Sequence, residues 1–127
     1  MYNAHGDPKN HLRHGSTRLH LDVTSAVNLM LYAVEHADGS PSGALWHIFG
    51  PAAAPVLRQF IQSEAAAASD GQAGDPIHDQ KTYLTPALLD KLATIHGIHP
   101  YTVIQRPGDA IYIPAGCAHQ VCLMPLQ

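Results

Sequence analysis

The chain has 127 residues, ten histidines, two cysteines and a formal net charge of −3, enough material for one domain around a single core. No block of Lys and Arg occurs, so direct sequence-specific binding of DNA is not expected. No run of ~18 apolar residues occurs either, so no membrane-spanning helix is expected.

Residues 1 to 17 are polar, carry His5, His11 and His14 at irregular spacing, and read as a loop. Their start lacks the charged and apolar regions of a signal peptide. Arg18-Leu19-His20-Leu21-Asp22 then alternates. Leu19 and Leu21 point one way along a strand and Arg18, His20 and Asp22 the other, because side chains in a strand repeat every second residue. Val27 to Val34 forms a second strand, with Val27, Leu29, Leu31 and Ala33 on one face and Asn28, Met30, Tyr32 and Val34 on the other. Residues 36 to 43 are rich in turn formers. Ala44 to Phe49 is a third strand, aromatic and β-branched, in which Trp46 and Phe49 are core residues.

Residues 52 to 68 read as helix. Pro55 suits its first turn, Val56, Leu57, Phe60 and Ile61 recur at helical spacing, and alanines 65 to 68 extend it. Residues 69 to 75 break the pattern. A second helix starts with Thr85 as N-cap and Pro86 at the first helical position, carries Leu88, Leu89, Leu92 and Ile95 as its apolar stripe, and stops at Gly97. His78 and Asp79, between the helices, are neighbours that point opposite ways in an extended segment, so they read as a hydrogen-bonding loop. Tyr101 to Gln105 is a strand, Arg106-Pro107-Gly108-Asp109 a tight turn, Ala110 to Ile113 a strand, Pro114-Ala115-Gly116 a bend and His119 to Met124 a last strand. Cys117 and Cys122 form neither a disulfide framework nor a zinc pattern and read as reduced thiols, Cys117 near the candidate site.

The sheet-forming material thus falls in two blocks, 18 to 49 and 101 to 124, separated by a helical insert over 52 to 96. This is the layout of a mainly β double-stranded β-helix, a cupin-like jelly roll whose interior can hold a metal. His20 and Asp22 stand on one face, and His119 arrives from the far end of the chain. Two imidazoles and one carboxylate on one side of an ion form the facial triad that binds non-haem Fe(II) and leaves positions open.

Four stretches carry a resemblance: Gly15 to Asn28, Ala44 to Phe49, Pro76-Ile77-His78-Asp79-Gln80 with Tyr83-Leu84, and Gly108 to Val121. In this order and over nearly the whole chain they resemble the JmjC domain, in the Hairless-like branch acting on lysine 9 of histone H3. The resemblance implies a single JmjC core over residues 1–127 and a dioxygenase using Fe(II) and 2-oxoglutarate, with His20, Asp22 and His119 as metal ligands and catalytic centre. It implies a histone lysine demethylase that hydroxylates an N-methyl group and releases formaldehyde. It also implies a methylated histone H3 tail as substrate, chromatin complexes as partners, and the nucleus as location. Thr17, three residues before His20, and Asn28, on the next strand, are candidates for binding 2-oxoglutarate. Arg18 and Arg106 are candidate cations for its carboxylate. Family members continue past the His-Gln-Val motif with a further lysine-bearing strand, where this chain reads Cys122 to Gln127, so the jelly roll is expected to be incomplete, a core truncated at both ends. Two other readings stay open: an inactive JmjC remnant that binds metal or a chromatin partner, and a hydroxylase of a non-histone protein.

Overall fold

The computed structural model describes residues 16–35, 37–67, 75–77, 80 and 82–126. His5, His11 and His14, expected in a loop, and the pair His78 and Asp79 lie outside the described residues. Six strands and two helices follow in chain order: β1 (Ser16–His20), β2 (Ala26–Leu29), β3 (Ser42–Ile48), α1 (Ala54–Ala67), α2 (Pro86–His96), β4 (Tyr101–Gln105), β5 (Ala110–Ile113) and β6 (His119–Pro125). A 3-10 turn at Pro51–Ala53 leads into α1.

The strands form two antiparallel sheets. The larger has the order β1-β6-β3-β4, and the smaller pairs β2 with β5. The two blocks of strand sequence therefore interleave, as a jelly roll requires. Register fixes the faces. Ile48 pairs with His119, Trp46 with Val121 and Ala44 with Leu123 across β3 and β6. These side chains point toward the small sheet, where Ala44, Trp46, Ile48, Ile113 and Cys117 make one buried cluster with Met30 and Ile111 against it. The opposite face carries the helices. Leu19, Phe49, Leu57, Phe60, Ile61, Ile77, Leu84, Leu92 and Ala118 form the second cluster there. The helical insert thus roofs one side of the large sheet, and the candidate site lies on the other. No helix among the described residues is long and apolar enough to cross a membrane.

Local sequence explains most boundaries. Thr85 caps α2 by accepting a hydrogen bond from the Leu88 N–H at 3.3 Å, and Gly97 closes it at φ 65°, where a side chain would be strained. Asp109 shapes the Pro-Gly turn: its carboxylate accepts from the Arg106 N–H at 2.9 Å, and Gly108 takes φ 92°.

Three expectations need correction. The strand expected over Val27 to Val34 is only Ala26–Leu29. Its sole partner among the described residues, β5, has four residues, and pairing ends where the partner ends. Beyond it, Leu31, Tyr32 and Val34 are exposed. Ile95, placed on the apolar stripe of α2, is exposed as well; Leu92 is the buried residue of that helix and Leu88 and Leu89 pack beside it. Finally, β1 ends at His20, so Asp22 stands just past the strand and not within it.

Two buried glutamines tie the parts together. Gln120, fully buried, accepts from the Leu84 N–H at 2.8 Å and donates to the Leu84 carbonyl at 2.9 Å and to His47 Nδ1 at 3.2 Å. It mimics a strand partner for the segment entering α2. Gln105 does the equivalent between the sheets. Its Nε2 donates to the Asn28 carbonyl at 3.0 Å, to Asn28 Oδ1 at 3.2 Å and to the Asp109 carbonyl at 3.0 Å, and its Oε1 accepts from the Trp46 indole at 2.9 Å.

Candidate metal centre

His20, Asp22 and His119 converge at the rim of the large sheet's inner face, with their ligand atoms within 4.8 Å of one another. Each arrives by a different device. His20 ends β1 and pairs across the sheet with His119, the first residue of β6. Their ring centroids are 4.1 Å apart and tilted by 59°. Asp22 is set by the loop after β1. Its carbonyl accepts from the Gly116 N–H at 3.1 Å, and Ser25 Oγ accepts from the Ala115 N–H at 3.0 Å. The loop that carries the carboxylate is therefore tied to the turn that carries His119. Gly116 sits at φ 80°, a conformation glycine adopts without cost.

Both rings are oriented alike. His20 Nδ1 lies 2.8 Å from the Arg18 carbonyl, and His119 Nδ1 lies 2.9 Å from the Cys117 carbonyl. A carbonyl only accepts, so Nδ1 carries the hydrogen in each ring and Nε2 presents its lone pair. Both Nε2 atoms face the same oxygen, Asp22 Oδ2, each at 3.8 Å. That separation exceeds a hydrogen bond. It falls within the ~4.2 Å that two donors can span at ~2.1 Å from one ion.

Electrostatics favours the ligating state. Burial pushes His119 below its ordinary value of 6.5; the neighbouring His20 acts in the same direction, and the bond to Cys117 and the charge of Asp22 oppose. The ring is neutral at neutral pH, as a ligand must be. The imidazole side chains are 8% and 4% exposed, against 44% for Asp22. The histidines thus close the inner side of the group, and the carboxylate stands toward solvent, where further ligands can enter. Two imidazoles and one carboxylate suit a divalent transition metal with open positions.

The other candidate residues are placed as follows. Thr17 pairs with Val121, and His20 with His119. Arg18 and Leu19 on β1 oppose the single residue Gln120 on β6, and this bulge brings Thr17 and His20, which simple alternation would set on opposite faces, to the same face. Asn28 sits on the inner face of β2, with its Oδ1 engaged by Gln105. Arg18 lies within the bulge. Arg106 is exposed at the end of β4 remote from the triad; the β4 residue at the triad's end is Tyr101, opposite Ile48. Both cysteines are free thiols, and Cys117 serves the site through its carbonyl.

Trp46 is buried, as a core residue should be, and it also lies face-on against His119, with centroids 6.0 Å apart and 25° between the planes. Nothing local in the sequence marks this contact. Nor is there a signal for the burial of Gln105, since a glutamine ending a strand before a turn is ordinarily exposed.

Residues 16–124 match the family model of the JmjC domain, described as a hydroxylase. The chain is similar to lysine-specific demethylase 3A-A of Xenopus laevis, 36% identical over an alignment that covers 95% of this chain and 11% of that protein. It is 32% identical to human lysine-specific demethylase 3A, over 95% of this chain and 12% of the relative. For lysine-specific demethylase 3 of Drosophila melanogaster the identity is 34%, over 95% and 18%. The chain spans between about a tenth and a fifth of the length of these relatives.

Proposed function

The chain belongs to the JmjC domain family, and from that premise we propose that His20, Asp22 and His119 hold Fe(II) in a 2-oxoglutarate-dependent dioxygenase that demethylates lysine, with lysine 9 of the histone H3 tail as its substrate. The observation that carries this reading is the common orientation of the two rings. Each donates through Nδ1 to a carbonyl two residues back and turns Nε2 to one carboxylate oxygen. Such outer hydrogen bonds set the tautomer and aim of metal-ligating histidines.

Bound Fe(II) would supply the oxygen-activating redox chemistry. The chain's own residues hold the donors in place, keep His119 neutral through burial and shield the inner side of the centre from water. Thr17 is the first cosubstrate candidate, a reading supported by its register on the ligand face. Asn28 is the second cosubstrate candidate, with its amide nitrogen left for that contact, since Gln105 occupies its oxygen. The overall conversion is balanced: an N-methyl-lysine, O2 and 2-oxoglutarate give lysine, formaldehyde, succinate and CO2. The demethylase names of the relatives and the JmjC match support the reaction class, and nuclear residence among chromatin complexes is part of the same proposal.

The test is Fe(II)-dependent conversion of 2-oxoglutarate to succinate, with and without an H3 tail peptide dimethylated at lysine 9. Stimulated turnover with formaldehyde release is expected. Succinate without formaldehyde would instead favour hydroxylation of a non-histone protein, and metal binding without turnover an inactive remnant. Thr17→Ala and Asn28→Ala should each raise the 2-oxoglutarate KM; an unchanged KM would remove that residue from the site.

A further inference from the structure

The geometry points to Gln105 as a positioning residue that acts through Trp46 to hold the His119 ring in its ligating orientation. This rests on the metal reading of the triad. The chain of contacts runs from the small sheet to the ligand. Gln105 is 1% exposed and uses both ends of its amide. Its Nε2 is shared among three oxygens, the carbonyls of Asn28 and Asp109 and the Asn28 side chain. That leaves Oε1 aimed at the Trp46 indole N–H at 2.9 Å. The indole is thereby fixed in plane, and its face lies along His119 at 6.0 Å and 25°, within the range of offset aromatic stacking.

The His119 ring is hydrogen-bonded at Nδ1 to the Cys117 carbonyl, and the tilted His20 ring lies 4.1 Å away. One hydrogen bond sets the direction of a ring but leaves it free to swing about that bond. A flat neighbour removes the swing, and in this structure the Trp46 face is that neighbour. The His20 ring meets His119 at a tilt of 59°, so it is the near-parallel Trp46 face that lies along the plane of the ring. Two consequences follow. The ligand orientation depends on a glutamine that touches none of the triad, and it depends on the small sheet staying docked, since Asn28 and Asp109 hold Gln105.

Trp46 is the single tryptophan of the chain, so the tryptophan emission comes from this residue alone. The experiment is a titration of the full chain with Co(II), followed by Trp46 fluorescence and by calorimetry. The wild type should bind one equivalent with quenching. Gln105→Met keeps the length of the side chain and removes both hydrogen-bonding ends. It should shift the Trp46 emission before metal is added and weaken Co(II) binding by about fivefold, less than the ~10-fold or more that follows loss of a group bonded to the ligand itself. Trp46→Phe, read by calorimetry, should weaken binding several-fold and covers the case in which Gln105→Met does not fold. Leu92→Ala, in the helix-side cluster, serves as a control that lowers stability without touching this chain of contacts, and its Co(II) affinity should equal that of the wild type. An affinity within twofold of the wild type in both the Gln105 and Trp46 variants overturns the inference, as does an equal loss in Leu92→Ala. Absence of Co(II) binding by the wild type overturns the metal reading itself, and this inference with it.

Discussion

Replacing Gln120 by leucine tests whether a buried side chain, and not the backbone, joins the helical insert to the sheet. Leucine fits the apolar surroundings but offers no hydrogen bond. The Leu84 N–H, the Leu84 carbonyl and His47 Nδ1 would all lose their partner, and Leu84 and His47 are both buried. An orphaned buried polar group costs about 1–3 kcal/mol. Three such groups, offset by the better transfer of leucine, give a loss of about 3–5 kcal/mol. That is a large share of the ~5–15 kcal/mol that stabilises a typical domain, and at ~4 °C per kcal/mol for this chain length the Tm should fall by about 12–20 °C. Urea unfolding followed by far-UV circular dichroism measures it, with the m-value checked for constancy so that the shift reads as stability. A loss under ~1 kcal/mol would mean that water or a rearranged backbone satisfies these groups, and the argument that Gln120 anchors the insert would be wrong.

Gly43→Ala should be destabilising by about 1–3 kcal/mol, because the added Cβ would lie 2.8 Å from the Gln105 carbonyl oxygen and 2.6 Å from Leu126 Cδ2; thermal unfolding checks it, and an unchanged Tm would contradict it. Thr85→Ala should cost only ~0.5–1 kcal/mol, the low end for an N-cap, since the bond to Leu88 is long and exposed; urea titration resolves that difference. Stability should also fall on acidification. Burial holds His47 below its ordinary 6.5, so the unfolded chain takes up the proton first, and the stabilisation present above 6.5 is lost as pH drops from there toward the lowered native value. Protonation would also oppose the donor of Gln120 with a second donor. The Tm of His47→Gln between pH 7.5 and 5.5 should therefore decline less than that of the wild type; parallel curves would refute this.

Elements governed by local chemistry were legible in the sequence. The Thr85-Pro86 start and Gly97 stop of α2, the Pro-Gly-Asp turn and the alternating strands each follow from residues within one turn of themselves. The proximity of His20, Asp22 and His119 was legible because a His-x-Asp at a strand's end and a distant histidine after a turn fit one jelly-roll layout, although Asp22 stands just past β1 and not within it. What the residues did not reveal depends on partners far along the chain. The length of β2 is set by β5, a constraint invisible in Val27 to Val34 itself. The bulge in β1 arises from its pairing with β6, and it changes which side chains face the site: Thr17 joins His20. Gln120 is buried against Leu84, 36 residues away, and Gln105 against Asn28, 77 residues away, and no local pattern announces such a glutamine. Trp46 was legible as a core residue, but its contact with His119 required the register of β3 against β6.

The most direct test of the central claim is the stoichiometry of anaerobic Fe(II) binding to the wild type and to His20→Ala, each shown to be folded. The wild type is predicted to hold one equivalent and the variant none. Equal iron in both would contradict the assignment of His20, Asp22 and His119 as the metal centre.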